Sequence, residues 1–299
     1  MCERESSQPR QGTSSETPRS ANHPAVPFDV GCIPQSLIPY GGPMDSICDD
    51  LRDETTALAD VVEDLTEEQW RLPTVAEGWD AVETILHLGA SDWLAHLTLT
   101  DRDRFLAVRE DLSTGDASIN GFSCPDSRSM AGAELWAWFR DQRAEMIDAF
   151  RICGARERMA WLGPDIGARS LATSRLLESW SHSHDLADTF GISYPQTDRL
   201  RHIAHIGFVT RAFSYETRGL APPTEPIRVE LTGPSGDVWI WGPEDAKQTV
   251  LADAYEFCKV ITHRVSFANS TVRAEGPLAV KWMQIAQPWI EPTRISDRA

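Results

Sequence analysis

Apolar positions recur at helical spacing from residue 44 onward. Ile47, Leu51, Leu58, Val61, Val62 and Leu65 fall along one face, interleaved with acids, and predict a first amphipathic helix. Leu72-Pro73-Thr74 interrupts it, because proline lacks the amide that a helix interior needs. Trp79-Asp80 leads into a second helix with Val82, Ile85, Leu86, Gly89, Trp93 and Leu94 on its inner side. A loop with Gly115, Gly121 and Pro125 precedes a third helix over about 131–150, through Leu135, Trp138, Phe139, Met146 and Ile147. The stretch 161–170 reads as a loop. A fourth helix covers about 171–190 and ends at Gly191, a residue that readily takes the left-handed conformation of a helix stop.

Helical spacing continues over about 200–218, and after Pro222-Pro223 the texture changes. Residues 227–231 and 238–241 alternate and flank Gly233-Pro234-Ser235-Gly236, which predicts a β-hairpin. Helical spacing returns over 252–262, residues 271–274 read as a strand, and 279–286 as a last helix. The fold class expected is mainly α: a four-helix bundle over 44–220 followed by a small α+β domain over 221–299. Residues 1–43, rich in Ser, Pro, Gln and Thr, read as a disordered and dispensable tail. No internal repeat is present.

The net charge of −17 argues against nucleic acid and against an anionic membrane surface, both of which need clustered Lys and Arg. No apolar run is long enough to span a bilayer, and the N-terminus has no hydrophobic signal core, so a cytoplasmic protein is expected. The six cysteines are scattered without a CxxC pair, which predicts reduced thiols and no zinc ribbon. Cys124, in a polar loop, has no neighbouring base in sequence that would make it a nucleophile.

The candidate chemistry sits on the fourth helix. Glu178 and His182 are four residues apart, so they share one helix face, where a carboxylate and an imidazole can bind one divalent metal. That spacing alone also describes a surface ion pair. Leu176, Leu177 and Trp180 suggest a partly buried setting, and Asp185 is placed to fix an imidazole tautomer. His87, between Leu86 and Leu88 on the second helix, needs a buried partner and would complete a three-ligand set with an open position. His96 and His184 point away from their neighbours' ligand faces, His202 is expected at a cap or in solvent, and His205 is within reach of the site. Glu83 repeats the i, i+4 spacing with His87 but reads more simply as a first-turn acid favoured by the helix dipole. Beyond residue 220 no pair has ligand spacing, and His263 is the only histidine, so that part is expected to pack or to cover rather than to bind metal.

The run from Ala76 to Leu88, AEGWDAVETILHL, resembles the first metal-ligand helix of the mycothiol-dependent maleylpyruvate isomerase family, and the run from Ala172 to Asp188 resembles its second. Residues 201–211, Trp241-Gly-Pro-Glu-Asp245 and Trp282-Met-Gln-Ile-Ala-Gln287 are similar to an actinobacterial metal-binding branch of that family, so the resemblance spans about 44–292. His184 departs from it, where glutamine is usual. The resemblance implies a DinB-like bundle with His87, Glu178 and His182 as ligands of a divalent metal, zinc being the expected one, and mycothiol as thiol cosubstrate. The implied function is activation of a low-molecular-weight thiol for isomerisation of, or S-transfer to, a small electrophilic substrate, by a monomer or homodimer. Trp161, Trp180, His205 and Arg211 are the candidates for the cosubstrate pocket, with Trp79, Tyr215 and Arg218 as further wall or anion contacts. Two other readings remain: a zinc hydrolase that activates water, and a metal-binding protein without catalysis.

Overall fold

The computed structural model describes residues 44–114, 123–124, 126–163 and 165–288. The tail, Gly115, Gly121 and Pro125 lie outside the described residues. Ten α-helices and six strands are formed among those described: α1 (Met44–Val62), α2 (Glu67–Trp70), α3 (Ala81–Thr100), α4 (Arg102–Thr114), α5 (Gly132–Ile152), β1 (Arg158–Met159), β2 (Ile166–Gly167), α6 (Ala168–Phe190), α7 (Leu200–Val209), α8 (Arg211–Glu216), β3 (Ile227–Thr232), β4 (Val238–Trp241), β5 (Gln248–Asp253), α9 (Ala254–Ile261), β6 (Arg273–Glu275) and α10 (Pro277–Ile285).

The expected bundle is α1, α3, α5 and α6. Helix α1 packs on α6 and α3 on α5, while α3 and α6 meet across the bundle. The local signals act as their chemistry requires. Asp80 caps α3 by accepting from the Glu83 amide at 2.8 Å, and Gly191 ends α6 with φ 67°. Departures from expectation have local causes. Helix α4 is polar and buries little beyond Phe105 and Val108, so its apolar pattern is faint. The 161–170 stretch contains β2, which pairs with β1. The single helix expected over 200–218 divides at Thr210, whose hydroxyl donates to its own Ile206 carbonyl at 2.7 Å.

The second part is a four-stranded sheet in the order β4-β3-β5-β6, with β3 antiparallel to β4 and parallel to β5. Strand β5 precedes the helix expected at 252, which starts at Ala254 on an Asp253 cap. The inner face of the sheet carries Val229, Leu231, Trp239 and Val250, and α9 docks on α7. One continuous apolar cluster runs from Leu58, Leu86 and Trp180 in the bundle to Phe257 and Trp282 beyond it. A second cluster, with Ile47, Leu51, Leu94, Met146 and Phe150, fills the other end of the bundle. No helix among the described residues is long and apolar enough to cross a membrane.

A buried ionic network is centred on Asp92 in the bundle interior. Asp92 accepts from Arg143 Nε at 2.6 Å and from Arg175 Nε at 2.9 Å, and Arg143 also donates to Ser179 Oγ at 2.7 Å. All three charged side chains are at most 2% exposed. Removing the carboxylate strands two guanidiniums in a dry interior, so Asp92→Ala is expected to destabilise the chain by about 3–5 kcal/mol. Urea unfolding of the variant against wild type measures this.

Candidate metal centre

The loop before α3 places the first wall of the site. The Thr74 amide and hydroxyl donate to the Trp79 carbonyl at 2.8 and 3.0 Å, and Gly78 supplies the left-handed turn with φ 80°. The Val75 amide donates to Thr189 Oγ1 at 3.0 Å, which anchors the loop to α6. The Trp79 ring thereby stacks on His182 at 5.2 Å and 11°, and tilts against His87 at 5.0 Å.

Behind that ring, α3 and α6 bring three donors together. His87 Nε2 lies 3.3 Å from Glu178 Oε2, and His182 Nε2 lies 3.5 Å from the same oxygen. One ligand atom from each of the three residues lies within 4.8 Å of the others. Ligands about 2.1 Å from a tetrahedral zinc sit about 3.4 Å apart, so both edges at Glu178 already match that spacing. Two imidazoles and a carboxylate are a donor set that a zinc-class cation accepts, and three protein ligands leave a position open. The residues present therefore fit the cation.

Charge follows from the packing. Burial pushes the His87 imidazole down to about 4, against the pull of Glu178. Burial would raise the Glu178 carboxyl, but hydrogen bonds from His182 and His87 outweigh it and hold it well below the ordinary carboxylate value. Burial would lower His182, but Asp185 and Glu178 outweigh it and raise the imidazole above its ordinary value. The centre thus carries an anionic Glu178, a neutral His87, and a His182 that competes for a proton.

His182 Nδ1 lies 3.3 Å from Asp185 Oδ2, a close contact that departs from ideal hydrogen-bond alignment. Arg264, from the loop after α9, donates to that same carboxylate oxygen at 2.6 Å. Burial would raise the Asp185 carboxyl, but the Arg264 charge and the His182 contact bring it down to about 2. The sequence points to Asp185 as an acceptor; Arg264 carries no sequence signal, because the contact closes over 79 residues.

Four residues that the sequence offers for a cosubstrate pocket take other places. Trp161 stacks on Phe105 at 6.0 Å in the second cluster, because the β1–β2 turn feeds it into the far end of the bundle. Trp180 is core: it meets His184 at 5.0 Å and Tyr255 at 6.2 Å, on the side of α6 away from Glu178 and His182. His205 Nδ1 accepts from Trp241 Nε1 at 3.2 Å, toward β4. Arg211 donates to the Pro223 and Glu225 carbonyls at 3.1 and 2.8 Å and straps the segment that enters β3. Tyr215 donates to the Leu278 carbonyl, and Arg218 to the Ser214 carbonyl. His202 is buried and pairs with Asp50 at 2.8 Å rather than facing solvent. Glu83 pairs with Arg128. Cys124 is buried against Met130, and burial raises its thiol.

A family model describing the mycothiol maleylpyruvate isomerase N-terminal domain matches residues 51–187, which include His87, Glu178 and His182. The chain belongs to the mycothiol-dependent maleylpyruvate isomerase family. An uncharacterized protein of Mycobacterium tuberculosis is 37% identical over 243 residues, covering 81% of this chain and 95% of its own length, and appears identically in two strains. The crystal structure of the mycothiol-dependent maleylpyruvate isomerase aligns with a TM-score of 0.50 at 16% identity, covering 82% of this chain and 97% of that one. A mutant of that enzyme aligns over the same shares, at 16% identity and a TM-score of 0.48. The isomerase family and this chain thus share a fold: a DinB-like bundle with a small α+β part after it.

The buried His205 generates a pH dependence. Burial pushes it from an ordinary 6.5 down to about 4, so between those values the unfolded chain binds more protons than the folded one. Its contribution to stability is full above about 6.5 and declines as pH falls toward about 4. His205→Gln keeps an acceptor for Trp241 and removes the titration. The melting temperature of wild type, measured relative to this variant, is expected to drop across that window and to be flat from pH 7 to 8.

Proposed function

We propose that His87, Glu178 and His182 hold one divalent cation, zinc being the expected one, and that the chain uses a low-molecular-weight thiol to act on a small electrophilic substrate. The observation that carries this is the convergence of an imidazole from α3 on the carboxylate–imidazole pair of α6, behind a stacked tryptophan. Family membership supports mycothiol as the thiol. The reaction class is addition of the thiolate sulfur to an electrophilic carbon. It ends as an S-conjugate, or as an isomer when the carbon–sulfur bond breaks again after rotation and the thiol is released.

When bound, the cation supplies positive charge that lets a thiol lose its proton near neutral pH. The chain's residues prepare the place. Glu178 is held as an anion with the Nε2 atoms of both imidazoles turned toward one of its oxygens, so the three groups face a common point. His87 is kept neutral by burial and is ready to donate a lone pair. Trp79 covers both imidazoles with an apolar face and excludes solvent from that side. Each of the four described cysteines is free, and Cys48 and Cys258 are buried with their thiols raised by burial, which favours a thiol from solution.

Purified protein is expected to bind one zinc per chain by native mass spectrometry, and His182→Ala or Glu178→Gln to abolish retention. Because His182 is raised and must lose a proton to bind, zinc affinity should fall as pH drops below its pKa and level off above it. Metal-loaded enzyme given mycothiol and a panel of electrophiles should consume thiol or isomerise substrate. Turnover of an ester or amide at full rate in thiol-free buffer would overturn the thiol reading.

A further inference from the structure

The C-terminal end of α9 is the one place among the described residues where a residue other than glycine takes a left-handed backbone: His263 has φ 61°. Such a conformation costs free energy and persists where its surroundings hold it. Here His263 Nε2 lies 2.8 Å from the Ala286 carbonyl, which fixes the ring. The amides of Arg264 and Val265 both donate to the Lys259 carbonyl, at 2.8 and 3.3 Å, and reverse the chain. That reversal carries Arg264 out of the α+β part and onto α6. Its Nη1 donates to the Thr262 carbonyl and its Nη2 to Asp185 Oδ2, both at 2.6 Å, with side chains 11% and 6% exposed.

We propose that Arg264 is a positioning residue for His182: it holds Asp185 beside Nδ1, so that Nε2 keeps its lone pair aimed toward Glu178 and the cation position. This rests on the metal-binding reading above. An imidazole carries its proton on either nitrogen, and a carboxylate beside Nδ1 selects the form with Nδ1–H and a free Nε2. Asp185 would be an unpaired buried charge without Arg264 and would lose the orientation that makes it useful. A guanidinium fixed at two points, the Thr262 carbonyl and the carboxylate, is a rigid support that a lysine cannot reproduce. The α+β part therefore does more than pack: it supplies the outer end of a line Arg264–Asp185–His182 that runs to the ligand.

The test uses the full chain and zinc alone as the probe, in competition with a chromogenic chelator. Arg264→Gln and Asp185→Asn are each expected to weaken zinc about 10–100-fold. The double variant should be no weaker than Asp185→Asn alone, and Arg228→Gln, which breaks a sheet ion pair, should bind as wild type does. In parallel, nitrogen NMR of labelled histidine in the metal-free protein, at a pH where His182 is neutral, should show the Nδ1–H form in wild type and its loss in Arg264→Gln. A purely structural role would lower the melting temperature without moving the tautomer. Unchanged affinity and tautomer in Arg264→Gln, or a double variant whose loss is the product of the two single losses, overturns the proposal. A wild-type chain that takes no zinc while Arg264→Gln still shifts the tautomer overturns the metal reading and supports the linkage. Should Asp185→Asn fail to fold, Arg264→Lys replaces it: it is expected to stay weakened, and recovery to wild-type affinity would overturn the two-point hold.

Discussion

A half-buried carboxylate held between two imidazoles is the constraint around which the centre is built. Glu178 sits inside the bundle, where an isolated anion is costly and must be met by donors or by positive charge. His87 from α3 and His182 from the next turn of α6 meet it at 3.3 and 3.5 Å. That requirement sets the approach of α3 to α6, and the Trp79 loop closes over the rings that result. The carboxylate oxygen and the two Nε2 atoms that meet it are the same three atoms that could hold a cation, so the fold itself keeps these groups converged.

Helix α6 separates two environments by its own periodicity. Glu178, His182 and Asp185 lie along one face, toward α3 and Arg264. Trp180 and His184 lie along another, where His184 meets Tyr194 and Tyr255 at 5.7 and 5.1 Å. Residues two apart on a helix do not share a face, and here that rule divides metal-competent chemistry from core. Below both, Arg175 reaches Asp92 and the Leu88 carbonyl, which ties the helix bearing Glu178 to the helix bearing His87 through a second polar contact. The two helices are thus pinned at two levels, and small shifts of one against the other are resisted where the ligands meet.

The bundle is legible because it rests on short-range periodicity: the 3.6-residue repeat, the Asp80 cap and the Gly191 stop. At the centre only the Glu178–His182 i, i+4 pair is local, whereas His87 meets Glu178 across 91 residues and is expected there from its apolar helix setting and the family resemblance. What was not legible depends on pairings between distant segments. Strand β5 alternates poorly, with only Val250 fully buried, and its parallel register with β3 has no local signature. Trp161 and Trp180 are the right residue type for a pocket wall, but residue type does not say which side of a helix or turn faces the site. His202 reads as a solvent residue until Asp50, 152 residues away, is brought to 2.8 Å. Arg264 was invisible for the same reason, and only the acceptor half of its contact, Asp185, could be named from spacing.

His87, Glu178 and His182 lie inside the portion of the chain that the family description matches, whereas Arg264 lies outside it. On the proposed reading, the groups that would hold the cation and the group that orients one of them come from different parts of the sequence. A bundle that carries its own ligands can accept different C-terminal parts without losing the cation, since no ligand is exchanged. What changes is the hold on His182, and with it affinity and the direction of the open position. The left-handed His263 turn is then the structural cost of that arrangement: a backbone conformation kept because it delivers a guanidinium to Asp185, in a loop that otherwise only has to end a helix.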